Sequence, residues 1–130
     1  MTENKLKDKV VLVFDDFSDV AMCIARNLER TLGCVCLNYN RAQECLWEIN
    51  RGTRFDLFLV DMGVDLGHFK ERVGNLTGYD LGKLVSERYP NVTIISKSAY
   101  NQRPDYACVH LVKPIKPERI QEEVKAHLEV

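Results

Sequence analysis

Short apolar runs alternate with amphipathic segments along this chain, and that alternation limits the possible folds more than any other feature. Five mostly apolar runs are typical of β-strands: residues 9–14, 34–39, 55–60, 92–97 and 109–112. The first is β-branched and is typical of a strand buried on both faces. Four segments carry apolar residues at helical spacing: residue 18 or 19 to 32, 41–50, 79–89, and 117 onward. Strands that alternate with helices predict a parallel sheet with helices on both faces.

Local signals predict where the first two helices begin. Ser18 or Asp19 follows the first strand and has the short polar side chain that caps a helix N-terminus. Asn40 with Gln43 resembles a capping box that opens the second helix.

The order of the strands follows from general rules of α/β architecture. Right-handed crossovers leave few arrangements for five parallel strands, and the flavodoxin-like, doubly wound order 2-1-3-4-5 is the prediction. Its ligand site lies at the carboxyl ends of strands 1 and 3. Residues 98–108 barely supply the roughly dozen residues of a parallel crossover, and they include Pro104. We therefore expect the helix between strands 4 and 5 to be one turn or absent.

Composition excludes several classes of protein. The 130 residues suit a single domain over 1–130. They include 18 basic and 19 acidic side chains, a balance that indicates no nucleic-acid partner and no membrane surface. The apolar runs are too short to cross a bilayer, and the N-terminal residues 1–9 are polar, so we expect a cytoplasmic protein. The five cysteines have no zinc or redox spacing.

Chemically suited residues follow four of the five strands. Asp15 and Asp16 follow strand 1, Asp61 follows strand 3, Ser98 follows strand 4 and Lys113 follows strand 5. Grouped carboxylates repel one another, and an all-oxygen site with few carboxylates suits Mg²⁺. The ammonium and the hydroxyl suit a phosphoryl group. Each residue alone also fits a helix cap or a turn, so the joint placement carries the prediction.

These residues resemble the receiver domains of two-component response regulators, in particular the chemotaxis-regulator type. The resemblance covers essentially the whole chain and rests on five segments. They are Phe14-Asp15-Asp16, Leu59-Val60-Asp61, Leu76-Thr77-Gly78-Tyr79-Asp80-Leu81, Ser98-Ala99-Tyr100 and Leu111-Val112-Lys113-Pro114.

The resemblance implies a set of site residues. Asp61 is the expected phosphoacceptor, and Asp15, Asp16 and Asp61 are the expected Mg²⁺ ligands, together with the main-chain carbonyl of Gly63. Lys113 is expected to pair with the phosphoryl group. Such a domain is a signalling switch that catalyses its own phosphorylation and dephosphorylation, rather than an enzyme acting on a separate substrate.

The resemblance also implies a switch and partners. Ser98 is expected to contact the phosphoryl group, and His110 stands where the family has an aromatic switch residue. The donor is expected to be a histidine kinase or a histidine phosphotransfer protein. The output is expected to be a downstream protein or effector domain, with no nucleic acid bound by this domain and no membrane contact.

The chain departs from the family pattern in residues 62–78, where the loop is long and carries Lys70 and Arg72, which could shield an acyl phosphate. Two other functions therefore stay open. One is a receiver-like module that binds a partner without phosphorylation. The other is a small Mg²⁺-dependent phosphatase, for which a covering domain is missing and Asp65 is the only nearby second acid. The sequence has no G-x-G-x-x-G or P-loop motif.

Overall fold

The computed structural model describes residues 6–63 and 76–129, which form five strands and four helices. The strands are β1 (Val10–Phe14), β2 (Val35–Tyr39), β3 (Leu57–Asp61), β4 (Thr93–Ser98) and β5 (Val109–Val112). The helices are α1 (Ser18–Leu32), α2 (Ala42–Asn50), α3 (Gly78–Arg88) and α4 (Pro117–Leu128).

All paired strands are parallel, and their order is β2-β1-β3-β4-β5. The predicted flavodoxin-like topology is therefore confirmed. Its crossovers bring the carboxyl ends of β1, β3, β4 and β5 to one edge of the sheet, where the predicted site residues lie.

Two apolar layers hold the helices against the sheet. On one face Val11 and Val13 of β1 pack with side chains of α1 and α4. On the other face Leu12 and Phe14 pack with side chains of α2 and α3. Successive residues of a strand point to opposite faces, which is why an unbroken apolar run is needed in a strand covered on both sides.

The predicted helix caps are wrong. Helix α1 begins at Ser18 with Phe17 as its N-cap, which is one residue earlier than a cap at Ser18 requires and two earlier than a cap at Asp19 requires. The reason is that the Asp15 carboxylate accepts a hydrogen bond from the Phe17 N–H at 2.9 Å, which fixes the turn before the helix. Helix α2 likewise begins after Arg41, with no side-chain cap.

The connection between β4 and β5, residues 99–108, contains no helix, as expected from its length. It is anchored on α3 by Tyr106, whose hydroxyl donates to the Tyr79 carbonyl at 2.8 Å. The Tyr106 ring lies against Gly82, where an added Cβ would approach ring carbons to 2.5 Å. The Tyr106 ring packed on Gly82 thus covers part of the α3 surface that a helix between β4 and β5 would otherwise cover.

Lys70 and Arg72, the residues expected to shield an acyl phosphate, lie outside the residues that the structure describes. Asp65, the candidate second acid of a phosphatase, lies outside them too. In the described ranges, no helix combines the length and apolar character needed to cross a bilayer.

Candidate functional site

The strand register brings the predicted acids together at the carboxyl edge of the sheet. Phe14 lies opposite Val60, so Asp15 and Asp61 are the next residues of neighbouring strands. Asp61 in turn lies opposite Lys97 of β4. Residues at matching register positions of parallel strands share one face of the sheet, which places two carboxylates and one ammonium side by side.

Asp61 is buried and both of its oxygens are engaged. Oδ1 accepts the Gly63 N–H at 3.1 Å, and Oδ2 accepts Lys113 Nζ at 2.7 Å. Lys113 is only partly buried, with its side chain 35% exposed, so its ammonium reaches the acid from the solvent side. The structure therefore places these two strand-end residues in direct contact.

Asp16 is the exposed member of the acidic group. Its pKa is raised above its ordinary value, first by desolvation and then by the negative charges of Asp61 and Asp15. Gly63 adopts a positive φ of 68°, and a Cβ there would come within 3.0 Å of Asp16 Oδ2. A carboxylate packed against a backbone bend and repelled by two other acids fits a hard cation such as Mg²⁺, which would relieve that repulsion.

Replacing Asp16 by Asn is expected to stabilise the protein in the presence of a chelator, by less than about 1 kcal/mol because the side chain is exposed. A raised pKa means that folding disfavours the ionised form of Asp16. The stability gained by replacing it with Asn is therefore fully present at neutral pH, where Asp16 is ionised. It is expected to fade as the pH falls through the raised value toward the ordinary one of 3.8, where Asp16 is protonated.

Urea unfolding at pH 7 and at pH 4 measures this effect. The matched control is Asp19→Asn, which replaces an exposed aspartate in the first turn of α1. A variant no more stable than wild type at pH 7, or one whose advantage persists at low pH, contradicts the prediction.

Lys97 is a site residue that the sequence reading did not single out. Its side chain is buried, and its Nζ forms an ion pair and hydrogen bond with Asp15 Oδ2. The signal was a lysine inside a run otherwise typical of a strand buried on both faces, since a buried ammonium requires a partner. In the strand register Lys97 lies opposite Asp61, but its ammonium pairs with Asp15, at the end of the strand beyond β3.

Two of the three acids, Asp15 and Asp61, form ion pairs with lysines. Within residues 6–63 and 76–129, no three His, Cys, Asp or Glu side chains are gathered closely enough to hold a metal ion together. Asp15 pairs with Lys97 and Asp61 pairs with Lys113. Asp16 forms no ion pair with either of these two lysines, although the positive charge of each lowers its pKa. A cation would bind next to Asp16 and Asp61. Asp15 could be a further ligand only if its carboxylate were shared between the cation and Lys97.

Ser98 takes part in a hydrogen-bonded group on the β5 side of the site. Its hydroxyl donates to the Tyr100 carbonyl at 2.8 Å and accepts the Tyr100 N–H at 3.0 Å. His110 Nε2 lies 2.7 Å from the same carbonyl and 3.2 Å from Ser98 Oγ. On the other side of the ring, Nδ1 lies 2.7 Å from Ser96 Oγ. In this arrangement Ser98 is bonded to its own turn rather than to Asp61.

A groove of about 630 Å³ opens beside the acids, between α1 and the segment that joins β5 to α4. Asp15, Lys97 and Lys113 lie at one end of it, and its walls are mostly apolar, with Val20 and Ile115 among them. The Lys113–Pro114 peptide at its rim is cis.

No protein-family model and no curated protein matches this chain. Solved structures do share its fold. A CheY-like response-regulator receiver domain protein from Methanospirillum hungatei JF-1 matches with a TM-score of 0.76 and 21% identity, over 94% of each chain. The receiver domain of Francisella response regulator 1452 matches with a TM-score of 0.75 and 21% identity, over 94% of this chain and 98% of that one.

A third structure was solved with a ligand in place. Response regulator protein TrrA from Thermotoga maritima, in complex with Mg²⁺-BeF, matches with a TM-score of 0.72 and 21% identity, over 91% of this chain and 97% of that one. At this level of identity the likeness concerns the fold. The chain has the fold of response-regulator receiver domains, and the resemblance seen in its motifs is confirmed to that extent.

Proposed function

We propose that the chain is a phosphoacceptor receiver domain, formed by residues 1–130, in which Asp61 accepts a phosphoryl group. The observation that carries this proposal is the Asp61–Lys113 contact of 2.7 Å at the carboxyl edge of a receiver-type sheet, with Asp15 and Asp16 beside it. The donor is a histidine kinase or a histidine phosphotransfer protein in the cytoplasm. A downstream protein or effector domain reads the result.

The residues support a direct phosphoryl transfer. An Asp61 oxygen forms the new bond to phosphorus as the bond from phosphorus to the donor's histidine nitrogen breaks, and the electron pair stays with that nitrogen. Asp61 Oδ1 is oriented by the Gly63 N–H, while Lys113 moves from Oδ2 to a phosphoryl oxygen. Asp16, Asp61 and the Gly63 carbonyl, together with Asp15, would hold a bound Mg²⁺, which would neutralise negative charge on the transferred group.

Phosphorylation changes the hydrogen bonds of Ser98. The acyl phosphate presents new anionic acceptors, and the Ser98 hydroxyl can donate to only one acceptor at a time. Turning it toward Asp61 breaks its bond to the Tyr100 carbonyl, which leaves His110 Nε2 as the remaining donor there. A change at the acceptor thus reaches Tyr100 and His110 on the surface.

Intact mass after incubation with acetyl phosphate tests the proposed function. The wild-type chain is expected to gain one phosphoryl group with Mg²⁺ and none when a chelator is present. Absence of any gain with Mg²⁺ rejects the phosphoacceptor role.

A second function is favoured by one observation, the Lys97–Asp15 pair that already satisfies a predicted cation ligand. A receiver-like module that binds its partner without phosphorylation needs no cation, and in such a module this pair is permanent. The same mass measurement separates the two functions, because only the phosphoacceptor gains mass.

Replacing His110 by Ala is expected to leave the phosphorylation of Asp61 intact and to weaken its structural consequence. The ring links Ser96, Ser98 and the Tyr100 carbonyl, so its removal disconnects β5 from the turn that follows β4. Amide chemical shifts of β4 and β5, recorded with and without acetyl phosphate, measure the response. If the variant shows the same shift changes as wild type, His110 has no switching role.

A further inference from the structure

The lysine on the central strand β4 occupies an unusual position for a charged group. Lys97 is 2% exposed, and its partner Asp15 is 0% exposed. Ions removed from water to this degree are retained in proteins when they are paired and hydrogen-bonded. The contact of Lys97 Nζ with Asp15 Oδ2 provides that pairing, so the two charges neutralise each other inside the site.

Both oxygens of Asp15 are engaged by the protein. Oδ1 accepts the Phe17 N–H at 2.9 Å, which fixes the carboxylate at the start of α1, and Oδ2 accepts Lys97. A divalent cation that used Asp15 would have to share or displace the ammonium. Lys97 can withdraw toward the adjoining groove, since it is among the residues that line the groove.

The charge of the site is already largely balanced. Three carboxylates face two ammonium groups, Lys97 and Lys113, which leaves one negative charge. Lys113 comes from the solvent side and is partly exposed, but Lys97 is enclosed within the sheet. Repulsion between an ammonium on Asp15 and a doubly charged cation a few ångströms away is large in a partly desolvated site.

We propose that Lys97 is an internal counter-ion that competes with Mg²⁺ for Asp15 and so lowers the affinity of the site for the cation. The proposal rests on the proposed function, because it assumes that these acids bind Mg²⁺. Binding of the cation is then coupled to movement of Lys97 away from Asp15. Without metal, Lys97 neutralises the charge of Asp15 and the protein remains stably folded.

Isothermal titration of Mg²⁺ into the full-length wild-type chain and into Lys97→Met tests the proposal. Methionine has a similar length and no charge. Lys97→Met is expected to bind Mg²⁺ at least about tenfold more tightly. Lys83→Met, which removes an exposed charge on α3, is the matched control and is expected to bind like wild type.

Thermal unfolding gives a second readout. Without Lys97, Asp15 is a buried unpaired carboxylate, so Lys97→Met is expected to be less stable than wild type in chelator and to recover more on addition of Mg²⁺. If Lys97→Met fails to fold in chelator, Lys97→Gln keeps a hydrogen-bond donor for Asp15 without the charge and serves in the titration. The double variant Lys97→Met/Asp15→Asn is expected to fold and to lose the gain in affinity.

Equal Mg²⁺ affinity in wild type and Lys97→Met overturns the proposal, and so does the lack of measurable binding by both. Destabilisation without a change in affinity reduces Lys97 to a structural partner of Asp15 and also overturns it. Lack of binding by both proteins would also remove the Mg²⁺ on which the proposed phosphoacceptor function depends, and the acetyl phosphate experiment would then show no mass gain. Normal phosphorylation of wild type with equal affinities rejects the role of Lys97 alone.

Discussion

Replacing Asp61 by Asn is expected to abolish the gain of one phosphoryl group that the wild-type chain shows with acetyl phosphate and Mg²⁺. The amide has nearly the shape of the carboxylate but lacks the anionic oxygen that attacks phosphorus. Its carbonyl oxygen can still accept either the Gly63 N–H or Lys113, so the fold around position 61 is retained. The loss is therefore expected to be complete while the unfolding midpoint changes little.

The matched control is Asp105→Asn, which alters an exposed aspartate on the connection between β4 and β5 and is expected to gain mass like wild type. Peptide mapping after borohydride trapping locates the modified residue in the wild-type chain. Retention of the mass gain by Asp61→Asn would place the acceptor at another side chain, with Asp16 the nearest solvent-facing acid.

Replacing Gly78 by Ala is expected to destabilise the protein by about 3 kcal/mol or more. Gly78 is the first residue of α3, and an added Cβ would lie 1.7 Å from the Asp61 carbonyl oxygen and 3.1 Å from Val60 Cγ2. Alanine favours a helix over glycine by about 0.5–1 kcal/mol, which is too little to offset a collision with backbone. Either α3 or the end of β3 must move.

Urea unfolding of Gly78→Ala is best compared with Gly52→Ala. Gly52 has a positive φ of 81° and no atom within 4 Å of an added Cβ, so that substitution introduces only backbone strain of about 1–2 kcal/mol. A loss at position 78 no greater than that at position 52 contradicts the close approach of α3 to Asp61. Slower phosphorylation of any folded Gly78→Ala protein is expected as well, since the shift displaces the acceptor strand.

Strand order and most of the site could be predicted from the sequence because both depend on short-range patterns. Val11 and Leu12 belong to an apolar run that only a doubly covered strand explains, and right-handed crossovers then restrict the topology. Asp61 ends β3 and Lys113 follows β5 directly, so the topology alone brings them to one edge of the sheet. The missing helix after β4 followed from the length of its connection.

The role of Lys97 could not be predicted from the sequence. The sequence predicts a strand over residues 92–97, and at the end of a strand a lysine usually reaches solvent. Only the register of the structure shows that Lys97 lies opposite Asp61 inside the sheet. The hydrogen bonds of Ser98 with Tyr100 and His110 were equally hidden. They depend on side-chain orientation in a turn, which periodicity does not encode.

The helix-free connection between β4 and β5 affects how tightly a partner can bind. A helix satisfies most of its own backbone groups and binds as a rigid face, whereas an irregular segment has main-chain groups to offer and conformational freedom to lose. Tyr100, at the start of that segment, is 45% exposed. Ordering each backbone residue opposes association by about 1–2 kcal/mol. A complex formed on this surface is therefore expected to dissociate faster than one formed on a helix at the same place.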